Sequence, residues 1–319
     1  MKSIAQFNRV PAHTLYRQYK EFSSGFRDWE QARHAEEYML FEENIGPDLG
    51  IDEVTLSRGE LYTYVTNKAA KGGKGSIVAS IKGTRSEDIQ AVLDRIPADK
   101  REQVEQISLD MAKNIESAVT RSFPNAIRVT DRFHVVRLVL EPVQQLRVKL
   151  RWQEMDAENK AIKQARKAGV AYKAERLDNG DTPKQLLARC RHALFKPEEK
   201  WTKNQWLRVY FAFERYPELK RAYDHAQKLI RMYRLTSREK AEIAFKEWIQ
   251  DSYDIGIEGF ASCARTVENH LDNIVNFFHN RATNASAESF NAKIKQFRAN
   301  QRGVRDPVFF LFRLSKLFA

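Results

Sequence analysis

From Leu49 onward the hydrophobic period changes, and that change limits the folds open to this chain. LGIDEVTL, ELYTYVTN and GSIVASIKG are short runs rich in β-branched and aromatic residues, separated by Ser-Arg-Gly and by a Lys-Gly loop over Lys71 to Gly75. Three antiparallel strands are the simplest reading. A helix then starts at Ser86 with Glu87 and Asp88 in its first turn, followed by the strand QISLD ending at Asp110, a helix through Phe123, and the strand AIRVTD. Three antiparallel strands followed by strand, helix, strand require a mixed sheet flanked by helices. In such an α/β core the polar residues at strand ends form the site. The Lys-Gly loop lacks the Walker spacing of a phosphate cradle and reads as a hairpin turn.

The flanking regions read as helical. Residues 1 to 45 carry Tyr16, Tyr19, Phe22, Phe26 and Trp29 at intervals of three or four, with Pro11 placed to open a helix. An aromatic stripe at that spacing marks core or interface rather than a ligand site. From Phe133 to about Ile249 there is no convincing strand, and apolar positions such as Val135, Val139, Leu186, Leu187, Val209 and Phe211 indicate amphipathic helices. Asn179, Gly180 and Pro183 mark a loop inside this block, and Tyr253 to Gly259 marks its exit.

Composition narrows the partners. The 319 residues are 42% hydrophobic, enough to bury a substantial core, and carry a net charge of +12. No window has the length and apolarity of a membrane span, and the start lacks a signal peptide's apolar core, so a cytoplasmic protein is expected. Cys190 and Cys263 stand alone, which argues against disulfides, zinc and thiol chemistry. The charge is unevenly placed: residues 1 to 141 sum to −1, 142 to 200 to +6, 201 to 280 to +1 and 281 to 319 to +6. Two basic segments fit a polyanion such as nucleic acid, and on charge alone they equally fit a solvated lysine-rich helix face.

Three acids stand out. Asp52 lies inside an apolar β-run and Asp110 ends one, where a carboxylate costs desolvation unless it is paired or binds a cation. The plainer alternatives are an Asp110 that caps the next helix and an Asp52 with Glu53 pointing to opposite faces. In TNASAESFNAKIKQF, Phe290, Ile294 and Phe297 form an apolar helix face, and Asn284, Glu288, Asn291 and Lys295 form a separate polar stripe. An exposed helix face would share that pattern. Carboxylates from distant segments brought to one point repel unless cations lie between them, and Mg²⁺ prefers such hard oxygen donors.

The succession GIDEV, SLDMA, FPNAIRVTDRFHVVR and TNASAESFNAKIK resembles the DDE transposases of bacterial insertion sequences, most closely the ISL-three-type family and, within it, the ISAon group. The resemblance covers residues 49 to 319. It implies an RNase H-like catalytic core interrupted by an all-helical insertion, with an N-terminal helical segment over 1–48, a first core part over 49–141, the insertion over 142–255 and a final core part over 256–319. Asp52, Asp110 and Glu288 match the family's catalytic acids and metal ligands. The implied cofactor is a pair of Mg²⁺ ions, with Mn²⁺ as substitute and no zinc. Asp131 and His134 are similar to an Asp-x-x-His motif of several transposase families; with Asn284, Asn291 and Lys295 they are candidates for positioning metal ligands or DNA. By local pattern alone, Asp131 and His134 read equally as an N-cap and a first-turn histidine.

The implied reaction is phosphodiester cleavage at the element's ends followed by attack of the freed 3′ hydroxyl on target DNA. Lys293, Lys295, Arg298, Arg302 and Arg305 are then expected to contact phosphates, and Lys149, Arg151, Lys163, Arg166 and Lys167 of the insertion to hold DNA or a second protomer. The expected partners are double-stranded DNA and further copies of the chain, with no membrane; when bound to DNA the protein would sit on the bacterial nucleoid. The family's usual N-terminal zinc and helix-turn-helix reader has no counterpart in the residues before Asp52. A separate small end-recognising protein, docking on the stripe from Tyr16 to Trp29, is the expectation. The alternatives are a structure-selective nuclease of the same fold and a catalytically silent DNA-binding regulator.

Overall fold

The computed structural model describes residues 2–56, 59–281, 285–301 and 303–319, except the side chains of Lys2 and of residues 285–288. The chain divides into two compact units, residues 1–131 with 281–319, and residues 132–280. In chain order the first unit contains α1 (Lys2–Phe7), α2 (Ala12–Gln18), β1 (Tyr38–Leu40), β2 (Asp48–Thr55), β3 (Leu61–Asn67), β4 (Ile77–Lys82), α3 (Ser86–Leu93), α4 (Ala98–Glu102), β5 (Gln106–Leu109), α5 (Lys113–Ser122) and β6 (Ile127–Thr130). The second unit contains α6 (Arg132–Lys167), α7 (Pro183–Arg189), α8 (Lys203–Arg215), α9 (Pro217–Met232), α10 (Arg238–Asp254), α11 (Phe260–Asn269), α12 (Leu271–Val275) and α13 (Phe277–Asn280). The chain then returns to the first unit as α14 (Ala285–Asn300) and α15 (Pro307–Phe318).

The strands form one sheet in the order β1-β4-β3-β2-β5-β6. The three expected β-runs are β2, β3 and β4, paired antiparallel, and β5 and β6 extend the sheet in parallel with β2. This is the RNase H-like α/β mixed sheet anticipated from the sequence. Leu49 and Ile51 of β2 enter a core with Ile89, Val92 and Leu93 of α3 and Ile115, Ala118 and Val119 of α5. Val54 and Leu56 enter the opposite core with Phe290 and Ile294 of α14 and Phe310, Leu311 and Leu314 of α15. With both faces covered, β2 must be apolar nearly throughout, so Asp52 is conspicuous.

The first 45 residues are not one helix. Arg9 and Gly25 adopt left-handed φ of 52° and 77°, breaking the segment into short turns, and Tyr38–Leu40 pairs with the free edge of β4. A three-residue strand has too few positions to show a period, so its existence depends on the edge it finds. The aromatic stripe packs within the fold, as its spacing indicated. Tyr16, Tyr19 and Phe26 meet Phe309 with ring centroids 5.8, 6.1 and 5.1 Å apart, and Trp29 meets Phe312 at 5.3 Å. These rings cover the outer face of α15, while Phe22 of the same stripe stays exposed. Asp306 caps α15 by accepting from the Phe309 amide at 3.0 Å, with Pro307 at the first helical position, as the sequence indicated.

Among the described residues the second unit contains no strand. Its limits differ from the expected 142–255. The helix α6 runs unbroken through Pro142, so no boundary falls there, and Phe260, Cys263, Ala264 and Val267 of α11 are buried within the helical unit. Gly259 has a φ of 93°, and a Cβ there would lie 3.2 Å from the Pro142 side chain, so glycine is needed for α11 to start against α6.

Candidate active site

The sheet register gathers the acids. Asp48, Leu49 and Gly50 of β2 pair in parallel with Gln106, Ile107 and Ser108 of β5. Two steps further in the same register stand Asp52 and Asp110. Between β5 and β6 the last pair is Leu109 with Thr130, so the next step sets Asp110 beside Asp131, whose amide donates to the Leu109 carbonyl at 2.8 Å. Continued in this way, the register sets Asp52 of β2 level with Asp110 and Asp131, which each lie one residue past the end of their strand, with strands spaced by about 4.8 Å. Ile107 and Leu109 fill the α3/α5 core, so the alternating direction of side chains sends Ser108 and Asp110 to the other face, where α14 packs.

Each carboxylate is held. Asp52 Oδ1 accepts from the Glu53 amide at 2.8 Å, and Oδ2 accepts from Asn291 Nδ2 of α14 at 2.5 Å. Asn291 is 8% exposed, fixed between Phe290 and Ile294 on the docked side of its helix, and its Oδ1 has no hydrogen-bond partner among the described residues. Asp110 Oδ1 accepts from the Ala112 amide at 2.9 Å, closing the turn that leads into α5. Asp110 therefore closes a turn ahead of α5 and does not cap the helix, whose N-cap is Ala112. Asp131 is 3% exposed at the end of β6.

Glu288 lies in α14, one helical turn before Asn291; its side chain is outside the described residues, as are Asn284 and Arg302 altogether. Of the basic residues near it, Lys293 donates to the Gly72 carbonyl at 2.5 Å and Arg298 to the Thr55 carbonyl at 3.4 Å, so both tie α14 to the sheet's loops. Lys295 and Arg305 are exposed. In the second unit Lys149, Arg151, Lys163, Arg166 and Lys167 are exposed along α6, with Lys149 3.6 Å from Glu258. His134 lies in the first turn of α6, its ring edge-on to Phe133 at 5.5 Å.

Sequence reasoning missed Lys68. It follows β3 in a short turn capped by Asn67, whose side chain accepts from the Ala69 amide and donates to the Asn44 carbonyl, both at 2.9 Å. The Lys68 ammonium donates to Ser108 Oγ at 2.5 Å. Burial pulls its pKa below the ordinary lysine range, against the attraction of Asp48 and Asp131. Nothing in the local sequence marks Lys68. Ser108, two residues before Asp110, could have been assigned to the same face by strand period alone.

Hard carboxylate oxygens with an amide donor beside them suit a divalent cation such as Mg²⁺ better than a soft metal. Among the described residues, which exclude the Glu288 carboxylate, no three His, Cys, Asp or Glu side chains converge on one point. The acids stand in a row, and a further ligand from α14 would be needed to close it.

Comparison with known proteins agrees with this geometry. A family model described as Transposase, of the ISL-three DDE type, matches residues 49–314. Two curated relatives, the transposases for insertion sequence element IS1557 of Mycobacterium tuberculosis strains CDC 1551 / Oshkosh and ATCC 25618 / H37Rv, are each 24% identical over 259 residues. That alignment covers 81% of this chain and 57% of each relative, so the chain spans little more than half their length. No solved structure gives a significant match. Strand order, the register of the acids and the extent of the family match lead to one conclusion: the chain belongs to the ISL-three-type family of DDE transposases.

Proposed function

We propose that this chain carries the catalytic centre of a DNA transposase that cuts phosphodiester bonds at the ends of an insertion element and joins the freed 3′ hydroxyl to target DNA. The observation that carries the reading is the register of Asp52 with Asp110 beneath the helix that bears Glu288, a helix tied to Asp52 through Asn291. Asp52, Asp110 and Glu288 would hold two Mg²⁺ ions. Bound there, the ions would activate the attacking oxygen and stabilise the leaving one. The chain's own contribution is positional. Asn291 fixes the Asp52 carboxylate, the Ala112 amide fixes Asp110, and the packing of Phe290 and Ile294 sets the depth of α14.

DNA would be held by exposed cations. Lys295 and Arg305 flank the Glu288 helix, and the exposed row on α6 offers a second set of phosphate contacts. Asp131 and His134 would position DNA or metal ligands rather than bind metal directly. We also infer that the chain acts as a homo-oligomer and that it belongs to the ISAon group. The test is incubation of the purified chain with Mg²⁺, a duplex carrying the element's ends and a plasmid target. Joined products are expected. Cutting without joining would indicate a nuclease, and binding without cutting a silent regulator.

A further inference from the structure

We propose that the exposed face of α8 is the contact surface for a second copy of this chain, the two helices packing antiparallel about a two-fold axis. The proposal deepens the homo-oligomer inferred above, on which it rests, and is independent of the metal chemistry. Val209 and Ala212 bury the inner side of α8 in the helical unit. On the outer side Trp206, Leu207 and Tyr210 are 48, 41 and 46% exposed, and the half-buried Phe211 continues the stripe. The Trp206 and Tyr210 rings stack at 5.4 Å with their planes 13° apart. Lys203 and Glu214 close the two ends of the stripe, both exposed and neither in an ion pair among the described residues. A contiguous apolar patch with Trp and Tyr at its centre and charges at its rim has the make-up of a protein interface.

Two observations choose the occupant. The charges run against the dipole of their own helix, with a cation at the first residue of α8 and an anion in its last turn, so what answers them lies outside the helix. The stripe is also self-complementary. Lys203 and Glu214, Trp206 and Phe211, and Leu207 and Tyr210 lie at equal numbers of residues on either side of one point, between Arg208 and Val209. A two-fold axis through that point sets Lys203 of each copy level with Glu214 of the partner subunit, and gathers the Trp206 and Tyr210 rings of both copies between the two ion pairs. With one cation and one anion the face has no net charge to offer a phosphate backbone, so it fits a second copy and not DNA.

The test is sedimentation equilibrium of the purified full-length chain without DNA. The wild type should dimerise reversibly. Lys203→Glu and Glu214→Lys each set like charges opposite one another and should weaken the dimer about tenfold or more. Either change suits the dipole of α8, so unfolding would not account for the loss. An equimolar mixture of the two variants, like the doubly exchanged Lys203→Glu/Glu214→Lys chain, brings opposite charges together again and should dimerise with near wild-type strength. Tyr210→Arg, with native circular dichroism, should be monomeric; should it fail to fold, the charge exchanges decide. A wild type that is monomeric at every concentration would remove both the homo-oligomer and this interface. A wild-type dimer indifferent to Glu214→Lys would leave the homo-oligomer standing and overturn the α8 contact, as would a mixture that does not recover.

Discussion

At the scale of single residues, several polar groups inside this fold are answered by a specific partner. Asp52 is answered by Asn291, and Lys68 by Ser108. In the helical unit, His225 is answered by Ser252, whose Oγ lies 2.6 Å from Nε2, while Trp248 stacks on the imidazole at 4.8 Å. Burial pushes the His225 pKa down to about 4. Above the ordinary histidine range the ring is neutral in both folded and unfolded chains and costs nothing. As pH falls from about 6.5 towards 4, the unfolded chain takes up a proton that the folded one refuses, so stability falls across that window. The loss attributable to this ring should be about 1–3 kcal/mol. Urea unfolding at pH 7, 5 and 4 checks it: the wild type should weaken more steeply than His225→Gln, and parallel slopes would remove His225 as the cause.

The residues of the site differ in how readable they were. Asp52 and Asp110 showed themselves because a carboxylate in an apolar β-run needs a reason. Asn291 was visible as part of a polar helical stripe, but its partner lay in a strand more than two hundred positions earlier. Lys68 left no trace, since its placement comes from a capped turn and from Ser108 on a strand distant in sequence. Lys293, expected to contact phosphate, also donates to the Gly72 carbonyl, a partner that helical period cannot reveal.

At the scale of elements, the runs with a clear period were legible and the short or doubly packed ones were not. β2 to β6 and the helices between them follow their patterns, whereas β1 exists only because β4 offers an edge. α15 is the instructive case. Its FFLFRLSKLF sequence is apolar almost all round, which means two partners: Phe310, Leu311 and Leu314 turn to the sheet, while Phe309 and Phe312 take the N-terminal aromatics. Phe309→Ala should therefore loosen both the helix and the first 30 residues, at a cost of about 3–5 kcal/mol in chemical denaturation. Phe22→Ala, at an exposed ring of the same stripe, should stay within about 0.5 kcal/mol of wild type. Equal costs would mean that the stripe does not cover α15.

At the scale of the molecule, charge and chemistry are segregated. The part of the chain that carries Asp52, Asp110 and Asp131 is nearly neutral, and the positive excess lies on residues 142 to 200 and 281 to 319. Long-range attraction would thus come from surfaces that need no exact geometry, while the acids remain in a rigid sheet whose register the backbone fixes. The uninterrupted α6 starts at Arg132, beside the Phe133 at which periodicity begins the strand-free block, and continues through Pro142. The most direct measurement is Mg²⁺-dependent nicking of DNA bearing the element's ends by Asp52→Ala, Asp110→Ala and Glu288→Ala proteins, each also titrated with the same DNA. Nicking should vanish in all three while DNA affinity stays within about threefold of wild type, since no phosphate contact is removed. Undiminished nicking by Glu288→Ala would contradict the assignment of α14 to the catalytic centre.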